Sequence, residues 1–338
     1  YADTRQRLVD NFDEATKAYP RRKAAYQDSL KVWNAEVGDA YNKTIKQWEQ
    51  DVATAKANNQ VAPARPKPSR PAPVFPVDPL GGYQSPTLCY NGVIAPLVGY
   101  GLKGAIWYQG ESNGDRLNDA IEYKDLFPRM ISDWRAKWGL GDFAFLFIQL
   151  PNFREPATTP SQGSWPWVRE GQAKTLSLPN TGMATIIDAG VANDVHPTNK
   201  LVPGDRLALV AQHKVYGRKV VASGPVYRSM KIEGNKIIIS FDEIHKGLTA
   251  AGLVGDDVVN IDSKELEGFG IAGDDHKFYW AKATITGNTV TVWADEVANP
   301  AAVRYDWADN PRGNLYNKDG LPAGPFRTDD WPPFDHNK

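Results

Sequence analysis

Cysteine is all but missing from this chain. Cys89 stands alone among 338 residues, so no disulfide can form within it. That excludes the small disulfide-stapled folds and leaves cytoplasm, periplasm and exterior open. No uninterrupted apolar run approaches the roughly 18–20 residues of a membrane-spanning helix. An excess of either charge is lacking too: 39 Lys and Arg face 40 Asp and Glu, for a formal net charge of −1. With no basic block in view, neither nucleic acid nor an anionic membrane is an expected partner.

Apolar residues make up 41% of the chain, enough for a sizeable core. The length suits two domains and an insertion. There are 11 Trp, 14 Tyr and 12 Phe. Such a surplus suits surfaces that stack on sugars, although core packing is the commoner use of aromatic rings.

The first sixty residues read as helix. From Pro20 onward, Tyr26, Leu30, Trp33, Val37, Tyr41, Ile45, Trp48 and Val52 recur in steps of three and four, one stripe on one helix face. Pro20 fits a first helical turn, so the pattern predicts a helical hairpin over residues 1–60: a short helix, then a long one. Residues 61–80 then carry Pro63, Pro66, Pro68, Pro71, Pro73, Pro76 and Pro79, the composition of an extended, semi-rigid linker.

Residues 81–218 alternate strand and helix. Strands are expected at 104–108, 143–150 and 183–188, as apolar runs buried on both faces. Helices are expected at 121–138, 167–177 and 199–216. That order implies a parallel sheet between helical layers, a three-layer α/β/α domain. Residues 219–338 read as a β-rich domain, with hairpins signalled by Gly234-Asn235 and Gly287-Asn288.

Two segments could carry chemistry. The first, Trp107 to Gly114, directly follows a buried-type strand, where active-site loops of parallel sheets gather. Within it, Gly110-Glu111-Ser112-Asn113-Gly114 fits the G-x-S-x-G pattern of a nucleophile elbow, with Ser112 as nucleophile. The second is Asn193-Asp194-Val195-His196-Pro197. A catalytic histidine needs an acid to orient it, and Asp194 in an extended loop can project to the same side as His196. An acid and histidine this close differ from the α/β-hydrolase arrangement and match the SGNH-hydrolase layout.

Tyr90 through Leu97, Lys103 through Asn113, Asp194 through Lys200, Arg169-Glu170-Gly171-Gln172, and the tail from Asn314 to Thr328 closely resemble the sialate O-acetylesterase family of SGNH hydrolases. The resemblance implies a carbohydrate O-acetylesterase that needs no cofactor and no metal. In that family's terms, His196 is general base and then general acid, oriented by Asp194. Gln109 supplies an oxyanion-hole amide, Glu111 and Asn113 brace the loop, and Ser112 is a bystander. Many superfamily members place the acid three residues before the histidine. This chain has Asn193 there, so Asp188 stays open as the alternative acid.

The family's glycine-serine-asparagine block does not occur in its expected place before the helical insertion. The expectation is a serine carried by a separate N-terminal fragment of the same enzyme, which then counts as a partner beside the acetylated carbohydrate. The alternative is a catalytically incomplete carbohydrate-binding protein of the same fold. The resemblance also implies a secreted or periplasmic enzyme. It leaves open whether the sugar is sialic acid or a plant polysaccharide such as xylan or xyloglucan. Trp165, Trp167 and Arg169 are weighed as a sugar-stacking set against simple packing of their loop, and Tyr305 and Trp307 likewise. His213 reads as structural, and His245, His276 and His336 as solvated.

Overall fold

The computed structural model describes residues 2–58, 63–79, 87–160, 163–261 and 263–333. They divide into two compact units, Tyr1–Val98 and Gly99–Lys338.

In the first unit the expected hairpin is replaced by one uninterrupted helical run. Helix α1 (Ala2–Trp33) passes through a π-helical turn at Asn34–Gly38 into α2 (Asp39–Ala57). The flanking Trp33 and Asp39 both keep right-handed helical dihedrals, so the chain never turns back on itself. Pro20 sits in the interior of α1 rather than in a first turn. What doubles back is the proline-rich segment. The Trp33 and Trp48 indoles donate to the carbonyls of Arg70 and Pro63, and the Tyr41 hydroxyl donates to that of Pro66. Tyr26 meets Phe75 edge-on at 5.0 Å. Rising helix numbers pair with falling strap numbers, so the strap runs antiparallel along the apolar stripe. Proline explains why: it cannot extend a helix, and its carbonyls remain free to accept. The expected boundaries near residues 60 and 80 fall outside the described residues.

The second unit opens with a three-stranded parallel sheet: β1 (Gly104–Trp107), β2 (Ala144–Ile148) and β3 (Thr181–Ala184), in that spatial order. The third strand is earlier and shorter than expected, ending at Ala184. Helix α3 (Leu117–Trp138) buries Ala120, Tyr123, Phe127, Ile131 and Arg135, a stripe in steps of three and four. It stops at Gly139, whose φ of +64° closes a left-handed cap onto Arg135 O. With α4 (Trp165–Lys174) it packs on the Phe145 and Phe147 face of the sheet. Helix α5 (Leu201–Lys214) covers Leu146, Ile148 and Ala184 on the other face.

Cover is uneven on β1. Ile106 lies 74% exposed, and among the described residues the strand pairs only with β2. The rest of the unit is antiparallel β, as expected. Hairpins 226–242 and 282–293 turn at Gly234 and Gly287, each at φ +60°. A core of Ile237, Ile239, Phe269, Ile271, Val290 and Val303 lies between their sheet and a second one containing residues 269–272 and 302–305.

Candidate active site

Strand β1 hands the chain to Tyr108, Gln109 and Gly110. Gly110 takes φ +146°, and a Cβ there would sit 3.1 Å from Val168 Cγ1, so this turn requires glycine. The Gln109 carbonyl accepts from the Tyr123 hydroxyl at 3.2 Å and from Gln172 Nε2 at 3.3 Å. Its side chain is held at both ends. Oε1 lies 3.2 Å from the Tyr123 hydroxyl, and Nε2 donates to Asn113 Oδ1 at 2.9 Å. An amide nitrogen carries two hydrogens, so one remains for a ligand oxygen.

Burial, then the charge of Glu111, pushes the Tyr108 phenol up to about 12. Burial likewise raises Tyr123, with Glu111 again adding to the shift. Both phenols therefore stay protonated, and Tyr123 keeps its role as donor. Asn113 braces Gln109 directly. Tyr123 and Gln172 do so from α3 and α4, and nothing in local sequence spacing singles out Tyr123. Gln172 belongs to the Arg169–Gln172 block, whose prominence now has a physical cause.

The histidine loop follows β3 at the same carboxyl end of the sheet. Asn152, after β2, pins it: Asn152 Oδ1 accepts from Gly190 N at 2.7 Å, and Arg154 N donates to Ala192 O at 2.9 Å. Gly190 is required there, because a Cβ would fall 1.9 Å from Asn152 O. His196 and Asp194 are both exposed. Asp194 Oδ1 accepts the backbone N–H of His196 at 2.8 Å, which turns the loop. Lys200 Nζ lies 5.2 Å from the centre of the Tyr108 ring, so the two motifs meet at this end of the sheet.

Asp188 is occupied elsewhere. It pairs with Arg206 through contacts of 2.5 and 2.7 Å and accepts from the Tyr316 hydroxyl at 2.7 Å. A carboxylate so engaged is a clamp between α5 and the β region. Ser112 is exposed in the 3₁₀ turn Glu111–Asp115 and is not among the residues of positive φ. It therefore lacks the strained strand-to-helix turn of a nucleophile elbow.

The expected sugar-stacking set is corrected outright. Trp165, Trp167 and Arg169 are 1%, 8% and 0% exposed. Arg169 donates to the carbonyls of Leu150, Pro151, Ala308 and Asp309, tying the α/β layer to the β region. Tyr305 and Trp307 are buried as well. Their rings are core, the packing alternative that the sequence had left open beside stacking. His276 is not solvated either: it stacks on Trp331 at 3.7 Å. His213 lies in the last turn of α5 and His245 contacts Glu243, while His336 falls outside the described residues. No cluster of three or more metal-ligating side chains occurs among the described residues.

Residues 88–207 match the carbohydrate esterase family described as sialic acid-specific acetylesterases. The chain is 28% identical to the sialate O-acetylesterase of Rattus norvegicus over 279 residues, covering 74% of this chain and 48% of that one. Against the Homo sapiens enzyme of the same name it is 28% identical over 280 residues, 75% of this chain and 50% of the other. It is also similar to a solved carbohydrate acetylesterase from Xanthomonas citri, with a TM-score of 0.67 and 44% identity over 73% of this chain and 55% of that chain. The chain thus spans about half the length of the relatives it matches.

Proposed function

We propose that this chain, a member of the sialate O-acetylesterase-like carbohydrate acetylesterase family, removes O-acetyl groups from a decorated sugar through a serine acyl-enzyme. The observation that carries the reading is the Gln109 amide, held by Tyr123 and Asn113 with one N–H to spare, beside the His196 loop. Ester hydrolysis places negative charge on the former carbonyl oxygen. One preorganised donor there is worth about 2.7–4 kcal/mol of barrier.

In this reading His196 takes the proton of a serine hydroxyl as the oxygen attacks the acetyl carbon. It returns that proton to the departing sugar oxygen, then activates water to release acetate and free the serine. Asp194 orients the imidazole and balances its transient charge. Asp188, already neutralised by Arg206, takes no part. The nucleophilic serine comes from a further N-terminal segment of the enzyme, outside residues 1–338. Among the described residues β1 pairs only with β2, which supports this seat, since a strand added beside β1 would extend the parallel sheet. Secretion or passage to the periplasm fits such a substrate.

Acetate release from acetylated xylo-oligosaccharide and from O-acetylated sialic acid tests the proposal. His196→Ala in the complete enzyme should cut turnover on the order of 10⁶-fold. Undiminished turnover would remove His196 from the mechanism. Saturable sugar binding without any acetate release would favour a carbohydrate-binding protein instead.

A further inference from the structure

The β region contains a cleft of about 310 Å³ that none of the motifs above explains. Trp280 forms one wall. It is 44% exposed, yet its indole N–H is fixed on Thr158 O at 3.1 Å, so the ring offers a flat apolar face in a set orientation. Glu267 and Arg312, both exposed, also line the cleft.

A chamber of about 10 Å³, room for one water, shares Gly268, Trp280 and Pro311 with the cleft and is also lined by Asp306. Asp306 is 1% exposed, and its carboxyl lies beside the Tyr305 hydroxyl and the Gly313 backbone. Two glycines make space for it: a Cβ on Gly268 or Gly313 would fall 2.3 or 2.2 Å from Asp306 Oδ1. A buried carboxyl in the chamber wall, beside an aromatic platform, is a polar position that the cleft can reach.

We infer that this cleft binds a neutral pyranose sugar, with Trp280 stacked on its C–H face. The hydroxyls are taken by Glu267 and Arg312 at the mouth, and by Asp306 through the water-sized chamber. A pyranose presents one apolar face and a rim of hydroxyls, the match for an apolar wall with a few convergent polar groups. Glu267 and Arg312 offset one another, so the mouth carries no net charge to draw in a phosphate or an acidic sugar. The inference takes from the proposed function only that the ligand is a sugar, and does not depend on ester chemistry.

Isothermal titration of the full chain tests it, with unacetylated xylohexaose, cellohexaose and methyl galactoside as neutral probes and N-acetylneuraminic acid as the anionic one. At least one neutral probe should bind saturably, and more tightly than the anionic sugar. Trp280→Ala should weaken that binding by about tenfold or more through loss of the aromatic face. Asp306→Asn, which keeps the side chain's shape, should weaken it as well, with thermal melts confirming that both variants fold. No neutral probe bound, a preference for N-acetylneuraminic acid, or an unaltered affinity in Trp280→Ala would overturn the inference. Sugar binding in an enzyme that releases no acetate would refute the esterase reading and leave this site standing.

Discussion

Asp188 and Arg206 form a two-pronged ion pair of 2.5 and 2.7 Å, with both side chains less than a tenth exposed. The pair, extended by the Tyr316 hydroxyl, separates structure from chemistry in a chain that offers two candidate acids. Removing one partner of a buried pair leaves an uncompensated charge. Asp188→Asn should therefore cost about 3–5 kcal/mol of stability, read as a fall in the denaturant midpoint. Asp194→Asn, at an exposed loop position, should leave that midpoint nearly unchanged and lower kcat. The reverse pattern would transfer the role of acid to Asp188.

The Gln109 amide is held at both ends, by Tyr123 and by Asn113. Gln109→Ala should lower kcat by about 10²–10³-fold with little change in KM, the signature of a donor used in the transition state. Tyr123→Phe and Asn113→Ala should each cost less, because each leaves the amide present but less firmly aimed. A KM effect without a kcat effect would place Gln109 in ground-state binding instead.

Asp306 gives stability a pH dependence of definite sign. Burial pushes its carboxyl from 3.8 up to about 8, against the opposing pull of Arg169. The folded chain thus holds this proton more tightly than the unfolded chain does. Its contribution is fully present below about pH 4 and is lost as the pH rises through about 8. Melting temperatures should fall between pH 5 and pH 8 more steeply in wild type than in Asp306→Asn. Parallel curves would show that the group does not titrate in this range.

The buried tryptophans should behave as core. Trp165 is 1% exposed and packs against Phe153 at 5.1 Å. Trp165→Ala should cost about 3–5 kcal/mol, measured by chemical denaturation. A loss confined to sugar affinity, with stability intact, would restore the sugar-stacking role that burial removes.

Much of this was legible in the sequence wherever burial imposes a pattern. Two-sided burial writes the continuous apolar run of β2, while β1 carries such a run with Ile106 exposed, and glycine at φ +60° marks both hairpins. The helix stripe was legible too, but its partner was not. Pro20 reads as a helix start because proline prefers the first turn, yet here α1 continues through it. The strap was readable as extended but not as packed, since proline composition fixes conformation and not contacts. The Gln109 block and the His196 loop were visible as motifs. Their supports, Tyr123 and Asn152, were not, because contacts across long sequence separations leave no local period. Asp306 carries no pattern at all: only its burial singles it out.

The most direct test of the account is to label the complete active enzyme with a serine-reactive fluorophosphonate and map the modified peptide by mass spectrometry. A serine on a segment outside residues 1–338 should carry the label, and labelling should be lost in His196→Ala. A label on Ser112 would contradict it, and would make the Gly110–Gly114 turn the nucleophile's own.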